Sequence, residues 1–305
     1  LAEDLRMESV LKTRQLVKTF NGKRAVNCVD MDIEKGEIYG FIGKNGAGKT
    51  TLMRMVTGSS LPTGGSIELF GSTDLEKGRK RIGSLVDLPC LFQGKTALEN
   101  MKLNAILSGG ADEITINRIL FQVGLIGTGS KKVKSFSLGM KQRLGIGISL
   151  LANPEFLVLD EPNIGLDPTG MKEIRNLLLS LNKEYGTTIL ISSHMLDELS
   201  KIATRFGIIN DGFLIEELSA EEIQKRSRRC LRVIVGNAQK AAEAIAANLP
   251  ACEFKIVSSN QVQLYSNYGD SSKVIQLLSA DGITISEIMY ETDKLDDYFI
   301  SRIGE

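Results

Sequence analysis

The chain has 305 residues, enough for about two domains. Its 42% hydrophobic and 24% charged residues, with 30 Gly and 6 Pro, describe a globular protein with a sizeable core and exclude disordered, collagen-like and disulfide-scaffold chains. The 37 Lys+Arg residues are balanced by 37 Asp+Glu, so the basic excess usual in a chain that mainly wraps nucleic acid is missing.

The start of the chain, Leu1 to Lys12, mixes acidic and basic residues and has no apolar h-region, so no secretory signal is expected there. Met7 is a candidate natural start, with residues 1–6 then a leader. No run of about 18 apolar residues occurs, so the chain is not expected to span a bilayer by itself. Val10–Thr19 and Val26–Ile33 read as strands joined by a Phe20-Asn21-Gly22-Lys23 turn. Ile38–Ile42 is a short apolar run of the kind that forms a buried parallel strand. A glycine-rich segment, Gly43–Thr51, follows, and then a helix over Leu52–Val56 that closes near Gly58.

Residues 95–150 read as mostly helical, with Met101, Ile106, Ile119, Leu120 and Val123 as apolar candidates. Phe156–Leu159 is a further buried strand. Pro168 opens a helix that Gly186 closes, with Met171, Ile174, Leu178 and Leu181 at helical spacing. Thr188–Ile191 reads as a strand and Leu196–Ile202 as a helix. Asn210-Asp211-Gly212 between two apolar runs predicts a hairpin. Composition changes near residue 219, where a charged helical connector, Glu221–Arg229, begins. Beyond it the expected order is strand (Cys230–Val235), helix (Ala238–Asn248), strands (Glu253–Val257 and Val262–Tyr265), helix (Ser272–Leu278) and strand (Ile283–Met289), with a final helix over Leu295–Ile303. That β-α-β-β-α-β order predicts a small α+β, ferredoxin-like domain. Cys28, Cys90, Cys230 and Cys252 are dispersed with no CxxC, which argues against zinc or disulfides and for a reducing cytoplasm.

Four segments carry chemistry. Gly43-Lys44-Asn45-Gly46-Ala47-Gly48-Lys49-Thr50 fits GxxxxGK[ST], a pattern that arises by chance in about one chain of this length in a hundred. It stands between a predicted strand and a predicted helix, where backbone N–H groups and the helix dipole can cradle phosphate. Lys49 is expected to reach the β- and γ-phosphates and Thr50 to ligate Mg²⁺. Phe156–Leu159 ends in Asp160 and Glu161: the first is expected to hold Mg²⁺, the second to orient or deprotonate a water. His194, the single histidine, ends the strand that begins at Thr188 and is a candidate γ-phosphate contact. Ser137 is an N-cap candidate for a helix running to about Leu151, with Gly139 two residues on.

In this order the four segments resemble the ATP-binding cassette (ABC) family, specifically the ATPase subunit of a membrane transporter, from residue 10 to about 218. Gly43–Thr50, with Thr51, is similar to Walker A and Phe156–Glu161 to Walker B. Ser137-Leu138-Gly139-Met140 stands where the family has its signature, Ile164–Asp167 resembles the D-loop, and His194 the switch histidine. Phe20 falls where an aromatic ring stacks on adenine. The resemblance implies an α/β P-loop NTPase fold with an antiparallel β subdomain and a helical subdomain. The implied boundaries are 7–218 for the cassette (helical part about 88–155), 219–229 for a connector and 230–305 for an accessory domain. It also implies ATP and Mg²⁺ as cofactors, and ATP hydrolysis with Glu161 and His194 catalytic. Ser137, Gly139 and Asp167 would meet a nucleotide held by a second copy of the chain or a paralogue.

The finer resemblance is to cassettes of the bacitracin and lantibiotic resistance type, on Phe136–Arg143 and on Ile82–Pro89. In the latter, Asp87 stands where a glutamine is usual. It is expected to ligate Mg²⁺ and to couple the nucleotide to a membrane partner, although an unmatched anion there would repel the γ-phosphate. Leu138 replaces the first signature glycine, and Lys44 stands where proline is common. Export by a separate transmembrane permease is implied, with the chain on the inner face of the cell membrane and no nucleic-acid partner. An ATP-gated sensor is one alternative. A soluble cassette ATPase is another, and the single P-loop and the absence of a coiled coil between Lys49 and Ser137 weigh against it.

Overall fold

The computed structural model describes residues 8–87, 89–226 and 229–292, of which 224–226, 229, 291 and 292 by their backbone alone. The expected leader, with Met7, and the expected helix Leu295–Ile303 lie outside the described residues. The chain divides into two compact units, Leu1–Ala220 and Glu221–Glu305.

In the first unit, β1 (Ser9–Phe20) and β2 (Lys23–Glu34) pair antiparallel around Asn21 and Gly22, whose φ values of 47° and 81° are those a two-residue hairpin turn requires. β3 (Ile38–Ile42) is buried at all five positions, and α1 (Lys49–Thr57) follows it, stopped by left-handed Gly58. β4 (Gly64–Leu69), absent from the predicted elements, pairs with β1 and completes a three-stranded antiparallel sheet ordered β2-β1-β4. Next come α2 (Leu75–Arg79), capped by Asp74, and β5 (Ile82–Leu85), another strand that periodicity did not predict.

The stretch expected to be helical holds α3 (Ala97–Leu107), α4 (Glu113–Gln122) and α5 (Leu138–Ser149), with 3₁₀ turns at Ile126–Thr128 and Val133–Ser135. Thr96 and Glu99 form a reciprocal capping box at the start of α3. Met101, Ile119, Leu120 and Val123 are buried as expected, but Ile106 is 76% exposed. It lies in the last turn of α3, one residue past buried Ala105 and off the face that Ala97, Met101 and Ala105 bury.

β6 (Phe156–Leu159) leads to α6 (Pro168–Tyr185), which starts with an Asp167 cap and Pro168 and ends at left-handed Gly186. β7 (Thr188–Ser193) and α7 (Leu196–Leu199), shorter than the Leu196–Ile202 helix expected, precede the hairpin of β8 (Arg205–Asn210) and β9 (Phe213–Ser219). The six-stranded sheet runs β5-β6-β7-β3-β8-β9. Its pairs are parallel except β8 with β9. Leu52, Met53, Met55 and Val56 of α1 share one core with Phe41, Phe156 and Leu190 of this sheet and with Leu11, Leu16, Met31 and Ile33 of the antiparallel sheet. Each such side chain contributes roughly 1.5–3 kcal/mol on burial, and together they fix α1 over the strand ends. The carboxyl-terminal ends of β3, β5, β6 and β7 therefore lie along one edge, carrying Gly43, Asp87, Asp160 with Glu161, and His194.

α8 (Ala220–Arg226) begins at the last residue of the first unit and continues into the second. There β10 (Arg229–Val235), α9 (Ala238–Asn248), β11 (Glu253–Ser258), β12 (Gln261–Ser266), α10 (Ser271–Ala280) and β13 (Ile285–Thr292) follow in the expected β-α-β-β-α-β order. All pairs in its four-stranded sheet, β11-β12-β10-β13, are antiparallel. Leu231, Val233, Val262 and Leu264 of the sheet pack on Ile245 of α9 and on Val274 and Leu278 of α10. Among the described residues no helix is long and apolar enough to cross a membrane.

Candidate active site

The loop Gly43–Gly48 turns from the end of β3 into α1 under tight backbone constraints. A Cβ on Gly43 would meet the Ile209 carbonyl at 2.5 Å. Gly48, with φ 113°, would bring one within 2.4 Å of the Ala25 carbonyl. Only glycine allows both the conformation and the approach. Gly48 is also the N-cap of α1 and supplies no side-chain cap, and the first turn carries no acid. The helix start thus presents backbone donors and the positive end of its dipole, the arrangement that suits an anion. A cleft of about 150 Å³ lies here, lined by Ala25, Asn45, Gly46, Lys49, Thr51 and Glu161 among others.

Lys49 is buried. Its Nζ donates to the carbonyls of Gly43 (2.6 Å) and Lys44 (3.3 Å) and lies 3.2 Å from Glu161 Oε1. That carboxylate oxygen is buried and has no partner in hydrogen-bond geometry, so the lysine charge is its compensation. Thr50 Oγ1 donates to Asp160 Oδ2 at 2.5 Å. Glu161 Oε2 lies 2.8 Å from His194 Nδ1, and because an ionised carboxylate only accepts, the imidazole nitrogen donates and Nε2 remains for another partner. Lys49, Thr50, Asp160, Glu161 and His194 thus form one connected group at the strand ends.

Sequence reasoning did not assign a role to Ser192, which ties this group together. Its hydroxyl, fully buried on β7, donates to Asp160 Oδ1 at 2.5 Å and accepts the Glu161 N–H at 2.8 Å. Glu161 is left-handed (φ 47°), a conformation that costs a side-chain-bearing residue roughly 1–2 kcal/mol, and the Ser192 bond holds it there. A serine placed directly after the apolar run Ile189–Ile191 of a fully buried strand, two residues before His194, was the available signal.

Ser137, Gly139, Asp167 and Phe20 do not join this group. Ser137 accepts from the Met140 N–H and caps α5, and Asp167 accepts from the Gly170 N–H and caps α6. The two helix starts adjoin: a Cβ on Gly139 would stand 3.7 Å from Leu166 and 3.9 Å from Gly170. None of these residues lines the cleft at the glycine loop. Phe20 is half-exposed at the tip of the β1–β2 hairpin, with Lys18 Nζ 4.9 Å above its ring, and also stands outside the cleft lining. Asp87, expected as a metal ligand, is engaged elsewhere: Arg54 Nη2 donates to its Oδ1 at 2.6 Å and Arg54 Nε to its Oδ2 at 3.3 Å. A guanidinium one helical turn beyond Thr50 takes up this carboxylate, so it does not join Thr50 and Asp160. Among the described residues no cluster of three or more His, Cys, Asp or Glu could hold a metal unaided.

The family model for ABC transporter matches residues 26–163. The bacitracin transport ATP-binding protein BcrA of Bacillus licheniformis is 39% identical over 301 residues, 98% of each chain. The chain belongs to the ABC transporter ATP-binding family. The lantibiotic transport ATP-binding protein SrtF of Streptococcus pyogenes is 43% identical over 208 residues, 68% of this chain and 90% of that one. Among solved structures, the dimeric ATP-binding cassette MJ0796 in a post-hydrolysis state with ADP and Pi superimposes with a TM-score of 0.62 at 26% identity, over 69% of this chain and 98% of that one. The chain is therefore the ATP-binding subunit of an ABC transporter and an ATPase, and its first unit carries the P-loop fold of that family.

Proposed function

We propose that this ATPase drives export of a peptide antibiotic of the bacitracin or lantibiotic kind by a separate transmembrane permease, through ATP-dependent closure of two cassettes. The observation that carries the mechanism is the separation of the two groups of site residues. Ser137, Gly139 and Asp167 adjoin one another, while none of them lines the cleft at Gly43–Thr50. One chain thus offers each half of a nucleotide site in a different place. A second copy supplies the missing half, as the dimeric relative MJ0796 with ADP and Pi supports.

In this reading the Gly43–Gly48 backbone and Lys49 bind the β- and γ-phosphates, Thr51 extends the cradle, and Phe20 stacks on the base. Thr50 and Asp160 supply the oxygen donors for Mg²⁺. Their side chains already meet, and a hydroxyl with one carboxylate is the small hard-oxygen set that Mg²⁺ uses when phosphates complete its shell. Held by these two residues, Mg²⁺ would supply charge neutralisation at the phosphates. Glu161 accepts a proton from the attacking water, and His194, fixed through Nδ1 on Glu161, turns Nε2 toward the γ-phosphate. Ser192 keeps both acids in place.

We assign residues 7–218 to the cassette, with its helical part at about 88–155, and 230–305 to a ferredoxin-like accessory domain behind the 219–229 connector. The sheet order β13-β10-β12-β11 supports the ferredoxin-like assignment. The domain acts in docking or dimer stabilisation, and the BcrA match, which extends over both units, supports its place in this kind of transporter. The chain sits on the inner face of the membrane, bound to the permease. Exposed Leu103, Ile106 and Leu107 on α3 support an apolar partner for the helical part.

The test is the mass of Glu161→Gln in solution, with and without Mg-ATP. The variant is expected to double in mass with ATP, and a further Ser137→Arg change is expected to return it to monomer. A monomer that binds ATP tightly would move closure to the permease complex. A chain that fails to bind ATP would refute the reading of Gly43–Thr50.

A further inference from the structure

Asp87 lies two residues past the end of β5, and β5 is the neighbour of β6, with the Asp160 N–H donating to the Leu85 carbonyl at 2.9 Å. The fold therefore delivers an acidic residue to the edge that holds Asp160 and Glu161. Its backbone is left-handed (φ 77°), a conformation unfavourable for any side-chain-bearing residue and least so for Asn and Asp. Both carboxylate oxygens are taken by the Arg54 fork, at 2.6 and 3.3 Å. Arg54 stands on α1 one turn beyond Thr50, on the helix whose first turn presents Lys49 and Thr50. The two side chains are 44% and 57% exposed, so the pair adds little to stability. Its main effect is on where a negative charge rests beside the site and whether that charge is compensated.

We propose that Arg54 is a positioning residue for the nucleotide site: it holds the Asp87 carboxylate on the second turn of α1 and neutralises it, so that the acid at this strand end does not oppose the triphosphate. The inference rests on the reading of Gly43–Thr50 as the phosphate cradle. Where a neutral amide at this position would need no partner, an aspartate needs the cation, and Arg54 and Asp87 act as a matched pair.

The test is Mg-ATP affinity and turnover of the full chain in four forms: parent, Arg54→Met, Asp87→Asn and the double variant. Arg54→Met, which leaves a carboxylate uncompensated beside a polyanion, is expected to weaken ATP binding about tenfold at low salt. That loss should shrink as ionic strength rises, because screening acts on an exposed charge and not on a packing defect. The double variant is expected to return to within about twofold of the parent, since Asp87→Asn removes the charge that Arg54 compensated. Arg54→Lys keeps the charge without the fork and is expected to fall between the two; it serves if Arg54→Met does not fold. Parent-like affinity in Arg54→Met overturns the proposal. So does a loss that Asp87→Asn fails to repair, which would make Arg54 a phosphate ligand in its own right. A parent chain that binds no ATP refutes the cradle itself, an outcome distinct from either.

Discussion

Removing the Ser192 hydroxyl tests whether the geometry of the two Walker B acids depends on a buried bond outside the family motifs. Ser192→Ala leaves the Glu161 N–H without its partner and takes one donor from Asp160 Oδ1. An unsatisfied buried donor costs roughly 1–3 kcal/mol, and a hydrogen bond to a carboxylate contributes roughly 1.5–3 kcal/mol. Part of this is recovered as Glu161 relaxes from φ 47°, so a net loss of about 2 kcal/mol is expected. For a unit of this size that corresponds to a fall in Tm of about 4–8 °C. The functional effect should be selective. Once Glu161 leaves its left-handed conformation, each 1.4 kcal/mol or so of population shift removes a factor of ten from kcat. The glycine loop and Lys49 remain in place, so ATP affinity is expected to stay within about twofold of the parent. Steady-state ATPase, equilibrium ATP binding and thermal unfolding on the same preparation make the comparison. A variant with parental kcat and Tm would refute the reasoning. An equal loss of kcat and affinity would also refute it, by making the defect one of global packing.

Two further outcomes follow from individual contacts. The Thr96 N–H, with Lys132 and Lys95, holds the Glu99 carboxyl down at about 2, against an ordinary 4.5. An acid with a depressed folded pKa contributes stability above its unfolded pKa and loses it as pH falls, so Glu99→Gln should be less stable than the parent at neutral pH, with the difference closing between about pH 4.5 and 2. Denaturant unfolding across that range checks it, and a constant difference would contradict it. Gly207→Ala would place a Cβ 2.2 Å from the hydroxyl of buried Tyr39, which donates to the partly exposed Glu217 at 2.6 Å. Overpacking there should cost about 1–3 kcal/mol with ATP chemistry unaltered in the folded fraction, read from unfolding midpoints, and an unchanged midpoint would refute it.

What was legible in the sequence was short-range. The glycine loop, the Pro168 start and Gly186 stop of α6, the Asn-Gly and Asp-Gly turns and the Ser137 cap are each set by a backbone conformation or a hydrogen bond spanning a few residues. The residue types alone therefore announce them. The order of the four motifs added the family, and with it the expectation that Lys49, Asp160, Glu161 and His194 converge. What only the tertiary structure decided was long-range. β4 and β5 are brief and carry weak periodicity, and they are strands because β1 and β6 pair with them. Ile106 is apolar yet faces outward, because it stands one residue past Ala105 and so off the face that Ala97, Met101 and Ala105 bury. Asp87 and Arg54 are 33 residues apart and Ser192 and Asp160 are 32 apart. Which oxygen meets which donor depends on strand order and register, and these follow from burying α1 and the parallel strands in one core.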